Sequence, residues 1–154
     1  MNLSIQLLEE ELKKALKARE ELKAGTLRML LSALHNAEKE KKYKTQKEDG
    51  LAAEEIESIV ASEAKKRRES IEAFLKGGRQ DLVAKEKAEL DILLSFLPPQ
   101  LSEQEIDVLV QEAVASTGAA TQKDIGKVMG FLAPKVKGRA DGSLVSKKVK
   151  DLLA

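Results

Sequence analysis

Phe96-Leu97-Pro98-Pro99-Gln100-Leu101-Ser102-Glu103-Gln104-Glu105 is the stretch that decides how this chain is organised. Two adjacent prolines supply no backbone N–H and cannot continue a helix. Directly after them, Ser102 followed three residues later by Glu105 has the form of a capping box, which opens a new helix. One helix must therefore end before Pro98 and another begin at Ser102. Each side of the break carries amphipathic helical patterns with their own apolar faces. The proline pair is accordingly read as the boundary between residues 1–97, an N-terminal four-helix bundle, and residues 98–154, a small C-terminal three-helix domain.

Composition agrees with an all-α reading. The apolar residues are almost entirely Leu, Ala, Ile and Val, aromatics make up 3%, and Asp, Glu, Lys and Arg make up 34%, a mixture that favours helix over strand. A chain of 154 residues is long enough to bury about 68–70% of its unfolded surface, so a real core is available.

Upstream of the prolines, Leu8, Leu12, Leu16 and Leu22 recur along a first helix expected from Leu3 to Ala24, with Gly25 as its C-cap. Thr26 then caps a second helix whose face is Leu27, Leu30, Leu31 and Leu34, ended by the polar run Glu38 to Asp49. A third helix is expected from about Ala53 to Lys76, stopping at Gly77-Gly78, and a fourth from about Arg79 to the prolines. Downstream, the fifth helix runs from the capping box to Gly118 and buries Ile106, Leu109, Val110 and Val114. Thr121 with Asp124 is a looser box of the same kind and opens a sixth helix, expected to stop at Pro134. A seventh covers about Ser143 to Leu153, with Leu144, Val145, Val149 and Leu152 inward.

Net charge is only +1, which gives no global case for nucleic-acid or membrane binding. The local distribution says more. Pro98 to Ala120 contains three glutamates, one aspartate and no basic residue, whereas Thr121 to Lys150 contains seven lysines and one arginine against Asp124 and Asp141. The basic patch is C-terminal. With no cysteine, disulfides, thiol nucleophiles and Cys-ligated zinc are excluded. One histidine and no acidic loop of ligand spacing leave no metal site and no cofactor motif. No secretory leader or membrane-spanning run is legible, so the expectation is a soluble, cytoplasmic protein with no membrane partner.

Catalytic residues are read as none. Ser62-Glu63-Ala64-Lys65 fits the S-x-x-K pattern of serine acyl enzymes, but the companion S-D-N and K-T-G elements are missing. His35 lies at the edge of an apolar face without an orienting carboxylate and nucleophile beside it in the pattern, and is read as a hydrogen-bonded structural residue. On the third helix Glu63 and Arg67 fall on the same arc as Ile56, Val60, Ile71 and Phe74, and on the fourth Glu86 sits among Leu82, Val83, Leu90 and Leu93. Glu63, Arg67 and Glu86 are expected to form a buried ion cluster that fixes how two helices meet.

The sixth helix has a different pattern. Gly126 and Gly130 stand at i, i+4 spacing, where each costs about 1 kcal/mol against alanine, so close approach of something to the backbone is expected. Lys123 and Lys127 lie beside them, Lys135, Lys137, Gly138 and Arg139 form the connecting turn, and Lys147 and Lys150 project from the seventh helix. A groove of exposed backbone amides and cations suits phosphate oxygens. The alternative is a neighbouring helix packed over the glycines with ordinary solvated lysines around it.

The segments Gly126 to Gly142, Arg67-Arg68-Glu69-Ser70-Ile71-Glu72-Ala73-Phe74, Gly77-Gly78-Arg79 and Phe96-Leu97-Pro98 together resemble the YqeY family of small bacterial proteins. The second half of that family is similar to the tail of the B subunit of the glutamine-dependent aminoacyl-tRNA amidotransferase. The resemblance implies that Gly126, Gly130, Gly138 and Ala140 belong to a module implicated in engaging the tRNA body. Asp141-Gly142 departs from the Asn-Pro common in the amidotransferase tail. The carbon–nitrogen ligase chemistry attached to the family name has no residues here to perform it. The expected function is therefore a non-catalytic module contacting tRNA or another structured RNA. A protein-interaction adaptor, with a partner helix on the glycine stripe, is the rival.

Overall fold

Ser4 opens the first helix: its hydroxyl accepts the Leu7 N–H at 3.1 Å, satisfying one of the donors that every helix start leaves free. The structure is a computed structural model that describes residues 2–154. Among them there are seven α-helices and no strand: α1 (Ile5–Lys17), α2 (Glu21–Thr45), α3 (Ala53–Lys76), α4 (Gln80–Leu94), α5 (Glu103–Thr117), α6 (Ile125–Val136), preceded by a single 3-10 turn at Gln122–Asp124, and α7 (Gly142–Leu153). The all-helical class expected from composition is the class observed.

Chain contacts divide the molecule into two units, one ending at Leu97 and the other spanning Pro98–Ala154. In the first, α1 packs on α2, α3 runs along α4, and α2 touches both α3 and α4. Its core is Leu8, Leu27, Leu30, Leu34, Ile56, Val60 and Leu93, with Ala15, Ala24 and Ala64 where helices approach closely. In the second, α5, α6 and α7 each touch the other two around Ile106, Val110, Ala113, Val128, Leu132, Val145 and Val149.

Several boundaries differ from expectation for identifiable reasons. The first helix ends at Lys17, seven residues before Ala24, because Arg19 takes the left-handed conformation (φ 57°) and the Glu20 N–H donates to the Ala15 carbonyl at 2.9 Å. That is a Schellman closure with arginine in the position glycine usually holds. Gly25 is consequently inside α2, and a Cβ built there would meet nothing within 4 Å. Burial of Ala24, Leu27, Leu30, Leu31 and Leu34 on the same helix outweighs one glycine, since tertiary packing dominates helix stability. Leu16 and Leu22, assigned to the apolar face of one long helix, are 47% and 39% exposed.

The polar run does not end α2 at Glu38. Lysine and glutamate are good helix formers, and the helix continues to Thr45 before Gln46 turns left-handed. Lys41 then ties the following loop down, with its ammonium 2.8 Å from both the Gly50 carbonyl and the Glu55 carboxylate. In the second unit the capping box at Ser102 is present, with Glu105 N–H to Ser102 Oγ at 3.2 Å and Ser102 N–H to Glu105 Oε2 at 2.7 Å. Gly118 closes α5 in the left-handed conformation (φ 67°). Pro134 does not stop α6, which runs on to Val136; proline lacks only its own N–H, and this one falls in the last turn. On α7 it is Leu153 that is buried, while Leu152 is 48% exposed.

Candidate nucleic-acid interface

The start of α6 is set by Asp124, whose carboxylate accepts the Ala120 N–H at 3.0 Å and the Thr121 N–H at 3.3 Å. Those two amides hold its carboxyl below the usual range. From that start the helix buries Val128, Leu132 and Val136. At about 100° per residue the opposite arc then carries Gly126, Lys127, Gly130 and Pro134, and all four are exposed.

A Cβ built on Gly126 or Gly130 would meet nothing within 4 Å. Among the described residues no neighbour crowds either position, so neither glycine is explained by close packing within this unit. The same face has a second backbone feature. Pro134 has no N–H, so the carbonyl of Gly130, four residues earlier, lacks the donor that would close its helical bond.

The cations divide into two groups. Lys123, Lys127, Lys137, Lys147 and Lys150 are exposed, and Lys135 lies over the Phe131 ring at 4.3 Å from its centroid, a contact that steadies the stem without neutralising the charge. In this unit the one ion pair among the described residues is Lys148 to Asp107 at 2.7 Å. The Asp107 carboxylate holds the Lys148 ammonium above its usual range.

Gly138 and Arg139 stand apart from this set. Gly138 (φ 72°) makes the turn that positive φ reserves largely for glycine, and its carbonyl accepts Gln100 Nε2–H at 2.8 Å. The Arg139 guanidinium donates through Nε to the Pro99 carbonyl at 3.3 Å, and its own carbonyl accepts the Leu101 N–H at 2.7 Å. These contacts tie the turn between α6 and α7 to the chain entering α5. No sequence pattern signalled that role.

The ion cluster in the first unit has a different membership from the one expected. Arg67 Nη1 is 3.2 Å from Glu86 and 2.7 Å from Glu89, with 15%, 14% and 9% of the respective side chains exposed. Glu63 is not on Arg67; it pairs with Lys66 at 3.0 Å at the helix surface. Glu86 and Glu89 are one turn apart on α4 and both reach the guanidinium, whereas Glu63 shares a helix with Arg67 and has a nearer, more exposed partner. The second Arg67 nitrogen is directed to Met29 Sδ at 3.4 Å. Glu89 Oε2 is fully buried and, though close to Arg67, accepts no well-directed hydrogen bond.

His35 lies between two carboxylates, with Nδ1 3.4 Å from Glu38 and Nε2 3.8 Å from Glu9. Ser62 and Lys65 are both exposed on α3. Among the described residues no group of three or more His, Asp or Glu side chains could hold a metal ion, and no helix is long and apolar enough to cross a membrane.

Residues 5–153 match the family model for Yqey-like proteins. Altered inheritance of mitochondria protein 41, mitochondrial, from Pyrenophora tritici-repentis (strain Pt-1C-BFP) is 32% identical over 155 residues, covering 99% of this chain and 82% of that protein. The protein of the same name from Lachancea thermotolerans is 33% identical over 152 residues, covering 95% of this chain and 79% of the relative. The Saccharomyces cerevisiae S288c protein is 34% identical over 132 residues, covering 82% and 69% respectively. These names place the relatives in mitochondria and overturn the expectation of a cytoplasmic protein. Lack of cysteine and of a spanning helix does not distinguish one aqueous compartment from another. Matched to the family pattern over almost its whole length, the chain belongs to the family of YqeY-like proteins.

Proposed function

We propose that this protein is a non-catalytic module that contacts tRNA or another structured RNA through the outward faces of α6 and α7. One observation carries the reading: Lys123, Lys127, Lys135, Lys137, Lys147 and Lys150 have no carboxylate partner among the described residues, and they accompany a helix face left bare by Gly126 and Gly130. Unpaired cations around uncovered backbone suit phosphate oxygens, which both positive side chains and main-chain groups contact. Aromatics are too few to form a stacking platform for splayed bases, so a folded backbone shape is the ligand that fits. A kinship with the amidotransferase B-subunit tail, and independent folding of a four-helix and a three-helix domain, belong to the same proposal.

Electrophoretic binding of the whole chain to total tRNA at two salt concentrations tests it. Affinity is expected to fall steeply with salt, and each lysine removed from a true phosphate contact should flatten the slope by about one unit or less. Lys127→Ala combined with Lys147→Ala is expected to weaken tRNA binding and reduce the slope. An unchanged affinity and slope would sink the RNA reading. If Gly130→Leu then still abolished capture of a helical protein partner, the glycine stripe would be a protein-docking face.

A further inference from the structure

The outward face of α5 has the opposite character from those of α6 and α7. Opposite the buried Ile106, Val110 and Ala113 stands Val108, 54% exposed, at the centre of a shallow groove of about 450 Å³ lined by Leu101, Gln104, Glu105, Val108, Leu109 and Arg139. Glu105 lines it and Glu112 stands one turn beyond Val108 on the same face of α5, whereas Asp107 is turned to Lys148 of α7. No basic residue occurs on α5 itself. Arg139 is the one cation lining the groove, and its guanidinium is engaged by the Pro99 carbonyl.

We propose that this groove docks a basic amphipathic helix from a separate protein, its apolar stripe on Leu101, Val108 and Leu109 and its lysines or arginines over Glu105 and Glu112. Charge complementarity selects the occupant. An acidic rim repels nucleic-acid phosphates and anionic lipid surfaces, whereas an apolar strip flanked by carboxylates is the complement of a basic amphipathic helix laid in a groove. A second copy of this chain would have to offer its α6 or α7 cations to α5. Sedimentation distinguishes that contact from docking of a separate protein. The face differs from the proposed RNA surface, so the two ligands need not compete.

The test uses the full chain, labelled with nitrogen-15 and titrated with a synthetic amphipathic helix carrying a leucine stripe flanked by lysines. A control peptide has glutamates in place of the lysines. Amide shifts are expected to centre on Leu101, Val108 and Leu109. Val108→Glu should weaken binding about tenfold or more, and the glutamate peptide should not bind. Lys127→Ala should leave peptide affinity unchanged. Because Val108 is exposed, Val108→Glu should melt like the parent, and that measurement separates lost docking from lost folding. Equal binding of both peptides, shifts centred elsewhere, or no binding would overturn the proposal. So would sedimentation showing a concentration-dependent oligomer that Val108→Glu abolishes, which would assign the face to a second copy.

Discussion

The two units handle charge in opposite ways. Between α3 and α4 an arginine is drawn inside and shared by two carboxylates, whereas α6 and α7 hold every cation but Lys148 outward and unpaired, and α5 carries acid with no basic residue. A buried ion set must be satisfied by its immediate neighbours, because desolvation penalises any member left alone. An exposed set is screened by solvent and contributes little to stability. The buried charge of the first unit is therefore a matter of folding, and the exposed charge of the second contributes little to it.

The largest expected effect tests that contrast directly. Arg67→Ala leaves Glu86 and Glu89 buried without a cation and should destabilise the protein by about 3–5 kcal/mol in denaturant unfolding. A variant that melts like the parent would remove the cluster from the account. Glu89→Gln and Glu63→Gln sharpen it further. The first changes a buried member and should cost about 1–3 kcal/mol, and the second changes a surface pair and should lie within about 0.5 kcal/mol of the parent. Equal losses would mean that Glu63 is part of the cluster after all.

Smaller effects are expected at the helix starts of the second unit. Ser102→Ala removes the acceptor for the Glu105 N–H and should cost about 1 kcal/mol, read as a lowered melting temperature. Gly130→Leu improves helix propensity and meets open space, so it should leave stability unchanged or raise it by up to about 1 kcal/mol while weakening RNA binding. A large loss of stability would show that the bare stripe is packed. The smallest effect is a pH dependence. Asp124 is held below its ordinary pKa chiefly by the Ala120 amide and then by that of Thr121, so its contribution is present above the unfolded pKa and disappears as pH falls through the lowered folded value. Asp124→Asn should reduce that acid-limb slope in thermal melts.

Legibility in the sequence followed the locality of the signal. The capping box at Ser102, the left-handed Gly118 and the limits of α3 are decided within a few residues, and each could be read directly. The start of α2 could not. Gly25 and Thr26 carry conventional end and start signals, yet the closure at Arg19 and the burial of Ala24 and Leu27 depend on α1 folding back onto α2. The site divided in the same way. That Lys127, Lys147 and Lys150 point outward follows from helical periodicity, whereas the tether of Arg139 to Pro99 joins residues forty positions apart.

What the amino-acid sequence by itself determined was the helical class, the buried faces of α2, α5 and α6, the concentration of cations after Thr121 and the family resemblance. These depend on composition, on the 3.6-residue period and on motifs a few residues long. Only the tertiary structure decided that Glu89 replaces Glu63 on Arg67, that Gly126 and Gly130 are uncovered, and that Val108 sits in a groove. The physical reason is that a helical period fixes the direction of a side chain around its own axis. Which group meets it is set by the offset and rotation of the helix packed alongside, and those emerge from the fit of whole faces.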